Sequence, residues 1–149
     1  MGAASSVSVI SNNIYLSYDY RQKNSVYIRA LQNELKRMES NIIYSDITIE
    51  SSANLSSSDI SLNMSNIMEK TSYFIFCVSK DTVRSFYQAI EINSALNANK
   101  HILYLMLDEK YTPLNNSCVK GIVGQKKWMP LYNDDTLIDV LNLLLQLRV

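Results

Sequence analysis

Apolar residues in this chain fall into two kinds of run. The first kind is short and β-prone: Ile14-Tyr15-Leu16-Ser17-Tyr18, Ile42-Ile43-Tyr44, Tyr73-Phe74-Ile75-Phe76-Cys77-Val78, Ile102-Leu103-Tyr104-Leu105-Met106-Leu107 and Lys127-Trp128-Met129. The third and fourth are continuously apolar, as strands covered on both faces are, which places them inside a sheet. The brief run at Trp128 reads as an edge strand. The second kind repeats at helical spacing. Tyr27, Leu31, Leu35 and Met38 do so over residues 24–39, and Ile60, Met64, Ile67 and Met68 follow an N-cap expected at Ser58. Val83, Phe86, Ile90 and Leu96 mark a helix over about 82–98. Leu137, Ile138, Leu141, Leu144 and Leu145 follow a cap expected at Asp135. Residues 48–58, rich in serine, read as a long loop, and residues 113–124 as a loop with a short helical or irregular piece.

Strands that alternate with helices imply an α/β fold, a parallel sheet with helices on both faces. Sites in such sheets gather at the carboxyl ends of the strands. Here that edge takes in residues 17–20, Asp46 and the loop after it, residues 79–85 and residues 108–111. The chain has 3 glycines, at positions 2, 121 and 124, and none follows the first strand. A dinucleotide fingerprint or a P-loop is therefore excluded. A phosphate-receiver domain would need an acceptor aspartate after the third strand, where this chain has Cys77-Val78-Ser79.

Composition narrows the classes further. A chain of 149 residues is about one domain. Hydrophobic residues make up 47% and charged residues 19%, a globular balance. Lys plus Arg equals Asp plus Glu at 14 each, which argues against a nucleic-acid partner. Two cysteines suit a reducing, cytoplasmic setting, and 1 histidine cannot build a histidine metal cluster, so no metal is expected. No run approaches the roughly eighteen apolar residues of a membrane span. Residues 1–12 read as a flexible N-terminus ahead of one domain over 13–149. Met1-Gly2-Ala3-Ala4-Ser5-Ser6 fits the minimal N-myristoylation pattern, the one route to membrane contact that the sequence suggests. The sequons at Asn54 and Asn63 are set aside for want of any sign of secretion.

Four motifs, in order and on the expected elements, resemble the Toll/interleukin-1 receptor (TIR) domain family. Ile14-Tyr15-Leu16-Ser17-Tyr18 is similar to its opening box, an apolar strand ending in Ser-Tyr. Residues 40–46 resemble its second strand with a terminal Asp, here Asp46. Ser79, then Ser85-Phe86-Tyr87-Gln88-Ala89-Ile90-Glu91, resembles the segment in which a Ser is followed six residues later by a Glu. Lys127-Trp128 resembles the box around the fifth strand. The resemblance covers residues 13–147 and implies a flavodoxin-like, three-layer fold with a five-stranded parallel sheet. Two departures stand out: Tyr87-Gln88 occupies the place of a common Trp-Cys, and the loop after Asp46 has no glycine.

The resemblance also implies chemistry. In members that cleave NAD+, the equivalent Glu is catalytic, which carries over onto Glu91. Breaking the nicotinamide–ribose bond passes through an oxocarbenium-like centre, which a carboxylate stabilises while nicotinamide leaves as a neutral molecule. Tyr18, Tyr20 and Tyr87 are candidates to stack on the nicotinamide or adenine ring. Arg21 or Lys23 would meet the diphosphate, Ser85 a ribose hydroxyl, and Asp46 lies at the same edge. NAD+ would be the substrate, with no further cofactor required. Each residue also has a plainer role. Glu91 on a helix is ordinarily a solvated residue whose replacement costs little stability. Tyr18 can close the core, Tyr87 can pack on the sheet or at an interface, Arg21 and Lys23 can be loop solubilisers, and Asp46 can cap a turn. The competing class is a non-catalytic signalling module that acts by homotypic association with other TIR domains, and a third is a nucleotide sensor that binds without cleaving.

Overall fold

The computed structural model describes residues 13–38, 41–45, 54–82, 85–109 and 128–147. Five strands form one sheet: β1 (Asn13–Ser17), β2 (Asn41–Tyr44), β3 (Tyr73–Val78), β4 (His101–Met106) and β5 (Trp128–Pro130). Among the described residues, four α-helices accompany them: α1 (Val26–Arg37), α2 (Ser57–Glu69), α3 (Phe86–Asn97) and α4 (Asp134–Leu147). The sheet is parallel throughout, in the order β2-β1-β3-β4-β5. The most apolar run, β3, is central, and β4 lies inside as expected. The short β5 is an edge.

Because strand side chains alternate between faces, β1 and β3 feed two separate cores. On one face Ile14, Leu16, Ile75, Cys77 and Leu105 meet Ile28, Leu31 and Leu35 of α1 and Val140 and Leu144 of α4. On the other, Tyr15, Phe74, Phe76, Val78, Tyr104 and Met106 meet Met64 and Met68 of α2 and Ile92 and Ala95 of α3. Tyr15 and Phe74 stack with ring centroids 5.4 Å apart. Burying one such large side chain contributes roughly 1.5–3 kcal/mol. No helix among the described residues is long and apolar enough to cross a membrane.

The helix starts differ from expectation, for local reasons. Helix α2 is capped by Ser56, not Ser58. Ser56 Oγ accepts from the Asp59 amide and donates to the Asp59 carboxylate, because Asp59 stands three residues on, where a capping box needs an acid. Helix α4 is capped by Asn133 rather than Asp135: Asn133 Oδ1 accepts from the Thr136 amide at 2.8 Å, and Thr136 Oγ1 accepts from the Asn133 amide at 3.0 Å. Its inward positions include Val140, while Ile138 and Leu145 face outward. Helix α3 begins at Phe86, not near Thr82. Thr82 Oγ1 takes the Ser79 amide and Ser79 Oγ takes the Asp81 amide, so hydroxyls compete with helical backbone bonding.

The largest correction concerns the face of α3. Its buried positions are Gln88, Glu91, Ile92 and Ala95, spaced i, i+3, i+4, i+7, whereas Phe86 and Leu96 are exposed. Two polar residues thus occupy the core stripe. At its far end Asn99 has φ 54°, the left-handed geometry of a residue just past a helix C-cap. The Lys100 and Asn99 amides return to the carbonyls of Ala95 and Leu96.

Candidate active site

Two segments converge on the Glu91 carboxylate, which α3 holds at the carboxyl edge of the sheet. From β1, Tyr15 and Ser17 point to the α3 side, two residues apart on one face. Ser17 Oγ donates to Glu91 Oε1 at 2.8 Å, and the Tyr15 hydroxyl donates to Oε2. From just beyond β2, Ser45 Oγ donates to Glu91, with Oε2 at 2.8 Å and Oε1 at 3.1 Å. Glu91, Ser17 and Ser45 are fully buried. No cation pairs with the carboxylate among the described residues. Burial pushes its pKa up, the hydroxyls pull it down, the charge of Asp19 adds to the rise, and the outcome is about 7 in place of 4.5. Burial, with the charge of Glu91, pushes the Cys77 thiol far up, so that cysteine is inert.

The hydroxyls are themselves directed. Ser45 Oγ accepts from the Tyr18 amide at 2.9 Å, and its proton has the carboxylate at 2.8 Å as a nearer acceptor than the Leu16 carbonyl at 3.4 Å. Gln88 Nε2 donates to the Cys77 carbonyl at 2.9 Å and toward Ser17 Oγ at 3.3 Å. Gln88 Oε1 is buried without a partner, the one such side-chain atom among the described residues.

The other candidates lie around this cage rather than in it. Tyr18 is fully buried and its hydroxyl accepts from Gln32 Nε2 at 3.3 Å, so it closes the core and offers no face for stacking. Tyr20 is exposed and carries Lys23 Nζ 4.1 Å from its ring centroid. Arg21 reaches Asp19 at 3.2 Å and Asp81 at 3.9 Å, while Gln22 Nε2 donates to Asp81 at 3.0 Å, tying the β1 exit to the β3 exit. Ser85 is committed to capping α3, its Oγ accepting from the Gln88 amide at 3.1 Å. Tyr87, partly buried, meets Phe86 edge to face at 5.3 Å. None of Tyr20, Arg21, Lys23, Ser85 or Tyr87 hydrogen-bonds Glu91. Asp46 lies outside the described residues. No group of three or more His, Cys, Asp or Glu side chains able to hold a metal occurs among the described residues.

The cage residues Tyr15, Ser45 and Gln88 were missed as site residues, and Ser17 was read only as part of a motif. Their signals were present: a serine on the inward face of a covered strand, and polar residues at i and i+3 of a helix stripe that continues as Ile92 and Ala95. The expectation that Glu91 is solvated and cheap to replace is also overturned, since its carboxylate is the buried acceptor of three hydroxyls.

A parallel sheet in this order, with helices on both faces, defines a flavodoxin-like α/β domain. The family model described as Thoeris protein ThsB, TIR-like domain, matches residues 15–112, and the chain belongs to that family. Solved structures share the fold. The TIR domain of the Toll-related receptor TRR-2 from Hydra magnipapillata aligns at TM-score 0.63 and 14% identity, covering 91% of this chain and 98% of that one. The CMP N-glycosidase BcmB of Clostridium botulinum aligns at 0.56 and 15%, covering 89% and 98%. A chain of the RPS4 and RRS1 TIR domain heterodimer aligns at 0.57 and 9%, covering 89% and 95%. No curated protein matches the chain.

Proposed function

We propose that this domain cleaves the N-ribosidic bond of NAD+, with Glu91 as the catalytic carboxylate. The observation that carries this reading is an ionisable carboxylate, held by neutral hydroxyls alone, at the strand-end edge where α/β sheets bind ligands. As the bond between the ribose anomeric carbon and the nicotinamide nitrogen breaks, the electron pair goes to the nicotinamide ring, which leaves neutral. The ribose becomes cationic, and ionised Glu91 stabilises it. Water then adds to the anomeric carbon and gives up a proton, yielding ADP-ribose. Tyr20, Arg21 and Lys23, on the rim, supply a ring and two cations for the distal part of the nucleotide. Because the carboxylate is sealed here, a ribose hydroxyl must displace one of its hydroxyl partners to reach it. A structural neighbour named as a CMP N-glycosidase supports the reaction class, since it too breaks a bond from ribose to a ring nitrogen.

The test is nicotinamide release from NAD+ at high protein concentration, with Glu91→Gln alongside. Turnover by the parent and none by the variant supports the reading. No turnover by folded, concentrated parent protein overturns it. A second reading, a non-catalytic module that associates with other TIR domains, draws on the complete sealing of Glu91, which suits a structural polar node equally well. That one structural neighbour is a TIR heterodimer is consistent with it. Light scattering across a concentration series, run beside the assay, distinguishes the two.

A further inference from the structure

We propose that Gln88 is a positioning residue, whose side-chain amide turns the Ser17 hydroxyl onto the Glu91 carboxylate. This deepens the reading of Glu91 as the working carboxylate, but it makes its own claim about the cage.

The argument is one of donors and acceptors. The Cys77 carbonyl can only accept, so the Gln88 amide must present Nε2 to it, at 2.9 Å. Turning the amide over would set Oε1 against that carbonyl, two acceptors in contact. The same Nε2 then faces Ser17 Oγ at 3.3 Å with a hydrogen to give. A serine hydroxyl has one proton. With its oxygen receiving from Gln88, that proton is directed away, and Glu91 Oε1 stands 2.8 Å from the oxygen. Gln88 Nε2 therefore gives one hydrogen to the β3 carbonyl and one to Ser17 on β1, and Ser17 passes its own proton back to Glu91 on α3. Ser45 is oriented in the same way by the Tyr18 amide, so a side chain does for Ser17 what the main chain does for Ser45. The arrangement leaves Gln88 Oε1 buried without a partner. A side chain placed only to satisfy itself would not sit so. Gln88 also stands where the resembling family commonly has Cys, which lacks a comparable donor.

The titratable groups facing Glu91 are Tyr15 on β1 and Asp19 beyond it, while Cys77 lies on the opposite face of β3 and feels only its charge. Tyr104 on β4 lies in the same layer, with Met64 and Met68 from α2. Gln88→Met keeps the length of the side chain and replaces no titratable group, while it removes the bond to the Cys77 carbonyl. Freed from Gln88, the Ser17 hydroxyl no longer has to donate to Glu91, and a lost donor to the charged form raises a carboxyl pKa by about one pH unit.

The experiment is a carbon-13 NMR titration of the Glu91 carboxyl, assigned by its disappearance in Glu91→Gln. It is run on the parent, Gln88→Met, Ser17→Ala and the double variant, with Gln88→Leu as a second form should the methionine fail to fold. The expected result is an upward move of about one pH unit in Gln88→Met and in Ser17→Ala, with no further move on combining them. An unchanged midpoint in both folded Gln88 variants overturns the proposal. So does a Gln88 effect that persists undiminished when Ser17 is alanine, because Gln88 would then act by another route. The titration needs no turnover. A coupled shift in a domain that leaves NAD+ intact retires the NAD+ reading and keeps the relay, whereas turnover with no shift does the reverse.

Discussion

Replacing Glu91 by glutamine changes how the stability of the domain depends on pH, and the size of the change follows from the cage. The carboxyl is fully buried, and burial raises its folded pKa from 4.5 to about 7 against the opposing pull of three hydroxyls. Below about pH 4.5 the group is protonated in both folded and unfolded chains and imposes no penalty. As pH rises toward 7 the unfolded chain releases the proton while the folded chain keeps it, so unfolding becomes progressively easier. Above about pH 7 both forms are ionised and the loss is complete. At about 1.4 kcal/mol per pH unit the full loss is about 3 kcal/mol, a large share of a typical folding free energy. Glutamine matches the neutral acid in size and has no proton to lose in this range. Urea denaturation of parent and Glu91→Gln at steps from pH 4.5 to 8 gives the difference in stability directly, since contributions from every other group cancel. The parent should lose about 3 kcal/mol relative to the variant across that window, whatever fixed offset the amide introduces. Difference profiles flat to about 0.5 kcal/mol would falsify the placement of Glu91 as a buried, titrating carboxyl.

Three further outcomes follow. Ser45→Ala removes a donor to Glu91 and the hydroxyl that accepts from the buried Tyr18 amide, so urea titration at pH 7 should show a loss of about 1–3 kcal/mol. Arg21→Ala should cost about 1 kcal/mol in the same assay, because the Arg21 side chain is half exposed and the buried Asp19 carboxylate keeps the Arg21 amide as a donor, and should raise KM for NAD+ while leaving kcat near the parent value. Asn99→Val should cost about 1–2 kcal/mol in thermal unfolding, because a β-branched residue is strained at φ 54°, while Asn99→Gly should stay close to the parent.

What could be read from sequence was whatever depended on continuous patterns. The unbroken apolar runs at Tyr73 and Ile102 placed β3 and β4 inside the sheet, since only strands covered on both faces tolerate such runs. Helix α1 was legible because Ile28, Leu31 and Leu35 dominate its buried stripe, with Gln32 the one polar residue among its buried positions. Helix α3 was misread because its buried stripe holds Gln88 and Glu91, while Phe86 stands exposed at its start. Periodicity of apolar residues must mislead where a fold buries polar groups for chemistry. The cage itself joins positions 15, 17, 45, 88 and 91, and its long-range contacts exist only once β1, β2 and α3 are side by side. Glu91 was reached through the family motif. The seal around it, and the identity of its partners, required the fold.

The buried carboxylate sets function against stability in a definite direction. Stabilising an oxocarbenium centre requires the ionised form, which becomes dominant only above about pH 7. That ionisation is the same event that removes about 3 kcal/mol from the folded state. The three hydroxyls reduce the conflict, because each bond to the carboxylate lowers the pKa and brings the ionised form within reach near neutrality. On the proposed mechanism they also stand between the carboxylate and a ribose. On that mechanism a substrate hydroxyl that replaced one of them would restore the lost bond, and the developing positive charge would supply a counter-ion. Activity should therefore rise with pH through about 7, on the same limb where stability falls. If turnover instead falls through that range, a protonated Glu91 is what the reaction uses. The chemistry would then be that of a leaving group that must be protonated as it departs, and not the release of nicotinamide.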